Sequence, residues 1–186
     1  PFPAALCVSI NEVVVHGVPN SEPIKNGDVV KIDLGVRIKG WYSDSAVTVL
    51  VGDVPEKAKK LAAATEIALT RGIEAARPGK TLGDIGYAIQ KVAAWHKVTV
   101  VEGLTGHGIG SDLHEDPVVF NEGKPHTGDK LVAGMTIAIE PMFSLGSARV
   151  IQQRDEGYAT SDKSLAAHFE HTILIKPGGP EVLTML

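Results

Sequence analysis

The chain has few features that would place it outside the ordinary globular classes. Of its 186 residues only one is cysteine, Cys7. That excludes an internal disulfide and fits a reducing compartment, so a cytoplasmic protein is expected. No apolar run approaches the roughly 18–20 residues of a membrane helix. The longest, around 131–139, is broken by Gly134 and Thr136. No basic amphipathic segment points to a membrane surface, and no signal peptide is expected. Neither sign of charge dominates: 18 Lys and Arg against 22 Asp and Glu give a net charge of −4. The basic footprint of a nucleic-acid binder is missing. There is no low-complexity segment, interdomain linker or short repeat. P-loop, dinucleotide-binding and Gly-x-Ser-x-Gly signatures are also absent. What remains is a chain of single-domain length, 44% apolar and 22% charged, large enough to bury a full core.

The pattern of apolar residues predicts strands, then two helices, then strands. Residues 7–15 are β-rich, and His16-Gly17-Val18-Pro19-Asn20 marks a turn. Val30, Ile32, Leu34 and Val36 alternate with polar residues, and Trp41–Val51 is a second β-rich run, so a hairpin turning near Lys39-Gly40 is expected. Asp53-Val54-Pro55-Glu56 reads as a helix start, with the helix running over 54–77. Thr81 caps a second helix over 82–97, whose apolar stripe includes Leu82, Ile85, Ile89, Val92, Ala93 and His96. Later strands are expected at 98–101, 136–140, 149–152 and 168–175. The Gly- and Pro-rich stretch 106–134 reads as connection. The order implies an α+β fold with helices on one face of a largely antiparallel sheet.

Acids and histidines stand where strands should be. Asp33 and Asp44 come roughly opposite each other across the hairpin. Aspartate is disfavoured in strands, and facing carboxylates repel unless a cation lies between them. Exposed carboxylates are common, so the pair alone establishes no site. His107 lies within Gly106-His107-Gly108-Ile109-Gly110, which leaves its imidazole accessible, and His114 follows seven residues later. Glu140 ends an apolar strand. Glu170 sits inside one, with no Lys or Arg close in sequence, and an unpaired buried carboxylate is costly. Taken as one site, Asp33, Asp44, Glu140 and Glu170 bring four negative charges and His107 none. Two divalent cations would balance them. Oxygen-rich ligation with one imidazole suits Mn, Fe(II), Co or Zn. Paired ions of this kind acidify a water between them. Cys7 reads better as a buried structural residue than as a nucleophile.

In order along nearly the whole chain, the motifs resemble those of the type I methionine aminopeptidases. They are Ser9-Ile10-Asn11-Glu12 through His16-Gly17-Val18-Pro19, Ile32-Asp33 with Asp44, Gly106–Gly110 with His114-Glu115-x-Pro117, Ile139-Glu140-Pro141-Met142, and Phe169-Glu170-His171-Thr172. The resemblance implies the pita-bread fold, with antiparallel sheet inside and helices outside. It implies removal of the initiator Met from nascent polypeptide N-termini when the second residue is small. It places Asp33, Asp44, His107, Glu140 and Glu170 on a dinuclear metal site, with Asp44 and Glu170 bridging. His16 and His114 fall on histidines that contact substrate, and Glu140 on the residue that also moves protons. Cys7, Phe2 and Tyr158 fall on the methionine pocket. A monomer with transient ribosome contact is expected, without nucleic acid or membrane as partner.

Four positions depart from the family pattern. Gly35 stands where relatives often carry Thr, and Ala166 where some carry Ser, so a monovalent-cation site is not carried over. Leu113 replaces a pocket aromatic, and Tyr158 a common Trp. Two other readings compete. A proline-directed aminopeptidase or prolidase uses similar ligands but usually carries a large N-terminal domain. A non-catalytic pita-bread binding protein typically loses ligands, whereas all five positions here are acids or histidine. Only one helix pair is expected, and the chain opens Pro1-Phe2-Pro3. Residues 1–186 are therefore read as one catalytic domain lacking a first helix pair, with an apolar surface left bare on the sheet.

Overall fold

The computed structural model describes residues 2–154 and 156–185. Cys7–Ile10 (β1) and Val13–Val15 (β2) lead into a long hairpin of Val29–Ile38 (β3) and Trp41–Leu50 (β4). Its turn, Lys39-Gly40, has φ of 52° and 89°. Positive φ at both positions gives a two-residue turn whose twist matches that of the strands. The helices are Glu56–Ala75 (α1) and Leu82–His96 (α2). They are followed by Thr99–Val100 (β5), Gly106–Gly108 (β6), Glu115–Val119 (β7) and Thr136–Ile139 (β8). The remaining strands are Met142–Ser144 (β9), Val150–Gln152 (β10), Tyr158–Thr160 (β11), Ala166–His168 (β12), Glu170–Leu174 (β13) and Glu181–Val182 (β14).

The main sheet runs β1-β3-β4-β13-β8-β6-β7, with β14 paired to β13. Two smaller sheets run β10-β11-β2 and β12-β9-β5. The pairings between these strands are antiparallel. The helices pack on each other, and α1 lies against β8, β9, β12 and β13. Leu61, Ile85, Ile89, Ile137, Ile139, Phe143 and Ile173 are fully buried between these layers. Each such side chain contributes about 1.5–3 kcal/mol by leaving water. The α+β expectation is borne out.

Several boundaries differ from the sequence reading. Helix α1 starts after Pro55, not at Val54. The proline ring pushes the residue before it out of the helical region, and the Pro55 carbonyl accepts from the amides of Ala58 and Lys59. Helix α2 starts where expected. The Thr81 amide and hydroxyl both donate to Asp84 Oδ2 at 2.9 Å. His96 is exposed and not part of the buried stripe. The chain reverses at Lys97, in the left-handed conformation, and Val98 packs on the core instead. The stretch 106–134 is not simply connection, because it holds β6 and β7. The glycines that look like breakers lie in β6 because its neighbours press close: a Cβ on Gly106 would strike the Ala138 carbonyl, and one on Gly108 that of Asp116. The expected strand 168–175 is two strands in two sheets, divided at Phe169. An apolar stretch does lie bare on the hairpin, where Leu34, Val36, Ile38, Trp41, Val47 and Val49 are exposed.

Candidate metal centre

The hairpin register pairs Asp33 with Ala46 and Asp44 with Gly35. The two aspartates are therefore diagonal neighbours on one face, not directly opposite as expected. The two-residue turn fixes that offset. On the far side of β4, Glu170 also pairs with Ala46. Asp33, Ala46 and Glu170 thus line up across three strands, with Asp44 one pleat away. His107 comes in on β6, opposite Ala138 of β8, and Glu140 directly follows β8. All five side chains meet at a cavity of about 100 Å³, lined also by His16, His114, Val15, Leu104, Thr105 and Met142. A larger groove of about 610 Å³ lies on the outside of the helix pair. It gathers no cluster of acids and histidines.

The backbone at the site is held by side chains. Pairing of β13 with β4 stops at His171. Beyond it the Thr172 hydroxyl accepts from the Asp44 amide at 2.8 Å and donates to the Asp44 carbonyl at 2.9 Å. His107 Nδ1 donates to the Gly108 carbonyl at 2.8 Å. A carbonyl can only accept, so Nδ1 carries a proton, and Nε2 faces Glu140 Oε1 at 3.5 Å. The rings of His107 and His114 meet edge to face, 4.4 Å between centroids.

Four carboxylates in one pocket disfavour their own ionisation. Burial, then the charge of Glu140, pushes Asp44 up to about 6. Burial, with Asp33 adding to it, pushes Glu140 up to about 8. Glu170 rises well above the usual range through burial and then through Glu140, Asp44 and Asp33. Asp33 also rises, chiefly by burial. Burial lowers His16 and His114, which favours their neutral forms.

The donor set fits divalent cations. Ligand atoms of Asp44, His107 and Glu170 lie within 4.8 Å of one another, and so do those of Glu140, His168 and Glu170. Glu170 belongs to both groups, Asp44 to one. Asp33 lines the same cavity without joining either. Glu170 Oε1 is buried with no hydrogen-bond partner, a vacancy a cation would fill. His168 is absent from the sequence-based site. Its signal was a histidine in an otherwise buried strand run, two residues before Glu170.

The pocket residues are less uniformly placed. Cys7 pairs with Asp33 across β1 and β3 and is half-buried. Burial and then the Asp33 charge raise its thiol to about 12, which disfavours the thiolate. The ring of Tyr158 lies 5.9 Å from that of His16. Phe2 is exposed and does not line the cavity. Two of the departures touch each other: a Cβ on Gly35 would lie 3.0 Å from Leu113 Cδ1 and 3.8 Å from Asp44 Oδ1.

The sequence profile of metallopeptidase family M24 matches residues 1–177. The chain belongs to this family. Among its M24 relatives, a methionine aminopeptidase of Rickettsia prowazekii is 47% identical over 186 residues, covering 99% of this chain and 72% of the relative. The crystal structure of methionine aminopeptidase from that organism superposes with a TM-score of 0.96, covering 99% of this chain and 75% of the other. Methionine aminopeptidase from Thermotoga maritima gives 0.95 at 45% identity, covering 97% and 74%. A prolidase from Pyrococcus horikoshii gives 0.77 at 27% identity, covering 98% of this chain but 48% of the prolidase. The pita-bread fold implied by the motifs is borne out by these M24 matches.

Proposed function

We propose that this M24 chain is a metal-dependent methionine aminopeptidase, removing the initiator Met from nascent chains when the second residue is small. The observation that carries it is the convergence of Asp33, Asp44, His107, Glu140 and Glu170 on one small cavity, in a chain 47% identical to a methionine aminopeptidase. A prolidase reading is weaker because that likeness drops to 27% identity. A non-catalytic binding role is weaker because no candidate ligand position has lost its donor.

Asp33, Asp44, His107, Glu140 and Glu170 hold two divalent ions, one of Co, Mn, Fe(II) or Zn. When bound, these supply Lewis acidity at the scissile carbonyl and acidify a water. Glu140, beside the scissile bond, takes and returns protons as well as ligating. His114 and His16, favoured as neutral imidazoles, donate hydrogen bonds to the developing oxyanion and the scissile amide. Cys7, Tyr158 and Phe2 belong to the methionine pocket. A methylene of size difference is worth only about 1–3 kcal/mol in such a pocket, so sharp selectivity comes from steric exclusion of bulky second residues. Residues 1–186 belong to one catalytic domain, and the protein works as a cytoplasmic monomer with transient ribosome contact. None of its described helices is long and apolar enough to cross a membrane.

Metal analysis combined with a peptide assay tests this reading. The protein binds about two divalent ions and releases Met from Met-Ala-Ser, hardly from Met-Lys peptides and not from Xaa-Pro substrates. Metal-replete protein that leaves Met-Ala-Ser intact sinks it.

A further inference from the structure

We propose that His168 is itself a metal ligand, giving the ion between Glu140 and Glu170 an imidazole of its own. The proposal rests on the metal-centre reading above and adds to it a residue that the motifs do not assign. His168 closes β12 and is 1% exposed. Its backbone is clamped to Thr48, whose hydroxyl accepts from the His168 amide at 2.9 Å and donates to the His168 carbonyl at 2.7 Å. That clamp fixes where the ring can point. The ring points into the acidic cluster, with Nε2 3.3 Å from Glu140 Oε2.

Among the described residues neither ring nitrogen of His168 has a hydrogen-bond partner, and nor does Glu170 Oε1. Buried polar atoms in native proteins are rarely left in that state, so an unpaired group calls for an explanation such as an ion. Two of these atoms, His168 Nε2 and Glu170 Oε1, call for a shared partner. Donor atoms of Glu140, His168 and Glu170 lie within 4.8 Å of one another, so a single cation among them engages Nε2, Glu140 and Glu170 together. A simple hydrogen bond from His168 to Glu140 would leave Glu170 Oε1 unanswered.

Glu140 then stands between two imidazoles. Its Oε1 faces His107 Nε2 at 3.5 Å and its Oε2 faces His168 Nε2 at 3.3 Å. Glu170 is common to both donor groups. The centre would therefore carry one imidazole per ion, where the motifs imply one for the pair. A neutral imidazole adds a donor without adding charge, so the balance of four carboxylates against two divalent cations is unchanged.

The test is spectroscopic. Protein loaded with Co(II) should show two exchangeable, paramagnetically shifted imidazole N–H signals, from the Nδ1 protons of His107 and His168. His168→Gln should lose one of them, fold with an unchanged circular dichroism spectrum, and bind one of its two ions roughly 10–100-fold more weakly by calorimetry. A single shifted N–H signal in the unsubstituted protein overturns the proposal, whatever the variant does. Weaker binding in His168→Gln with the signal count unchanged also overturns it, and makes His168 a positioning residue acting through Glu140. Failure of the unsubstituted protein to bind Co(II) at all removes the metal centre itself, which is a different result from either.

Discussion

Thr172→Val isolates how the sheet holds Asp44. Beyond His171 the ladder between β13 and β4 is replaced by one hydroxyl, which serves both the amide and the carbonyl of Asp44. Thr172 is 2% exposed and Asp44 7%. Valine keeps the shape and removes the hydroxyl, leaving two buried backbone groups unpaired. Each costs about 1–3 kcal/mol. The added methyl returns up to about 0.8 kcal/mol, so a net loss of roughly 1–5 kcal/mol follows, near 3 at the centre. Thr172→Ser is the control. It keeps both hydrogen bonds and gives up one methyl, about 1 kcal/mol. Urea unfolding of chelator-treated protein reads the difference: the valine variant should be the less stable by about 2 kcal/mol. Freed from the clamp, Asp44 should also hold Mn(II) more weakly in the valine variant than in the serine one. A valine variant as stable as the serine one, with the same Mn(II) affinity, refutes the reasoning.

Three further outcomes are expected. Asp44→Asn removes a charge from the cluster and should lower metal content and Met-Ala-Ser cleavage together; unchanged metal content would take Asp44 out of the site. Metal-free Glu140 and Asp44 are raised to about 8 and about 6, so they hold protons that ligation must displace, and metal affinity should climb as pH rises through that range. Calorimetry of Mn(II) binding at pH 7 in buffers of different ionisation enthalpy should show net proton release, and none would contradict the site's electrostatics. Gly86→Ala should destabilise the protein although alanine is the better helix former by about 1 kcal/mol, because its Cβ would come 2.6 Å from the Glu122 carbonyl carbon and 2.8 Å from the Phe120 carbonyl oxygen; a raised melting temperature would mean that the 120–128 loop yields freely.

The parts of the site readable from sequence were those in regular strands and glycine-framed motifs. Asp33 and Asp44 interrupt alternating apolar runs, and Glu170 interrupts a buried one, so the cost of placing a carboxylate there marked each of them. Register was harder. Only the length of the turn at Lys39-Gly40 decides whether the two aspartates are opposite or diagonal, and a local pattern leaves that open by two residues. His168 escaped because β12 and β13 read as one run. The break at Phe169 is a change of sheet, set by partners more than twenty residues distant. The mutual contact of Gly35 and Leu113 is likewise invisible along the chain. Each looks like a separate departure, yet the missing Cβ of one is the space used by the other.

That contact bears on how the pocket and the metal centre are tied together. Gly35 pairs with Asp44 across the hairpin, and Leu113 precedes His114, which faces His107 ring to ring. If the proposed function holds, the same few residues set both the shape beside the substrate and the surroundings of two site groups. A Cβ at position 35 would press on Leu113 and come into ordinary contact with Asp44. Specificity and metal affinity should then shift together in any substitution there, because a close-packed interior passes strain to its neighbours rather than absorbing it. Replacing Leu113 alone should act mainly on substrate choice, since the space over Gly35 can take a change in side-chain shape while Asp44 stays pinned by Thr172.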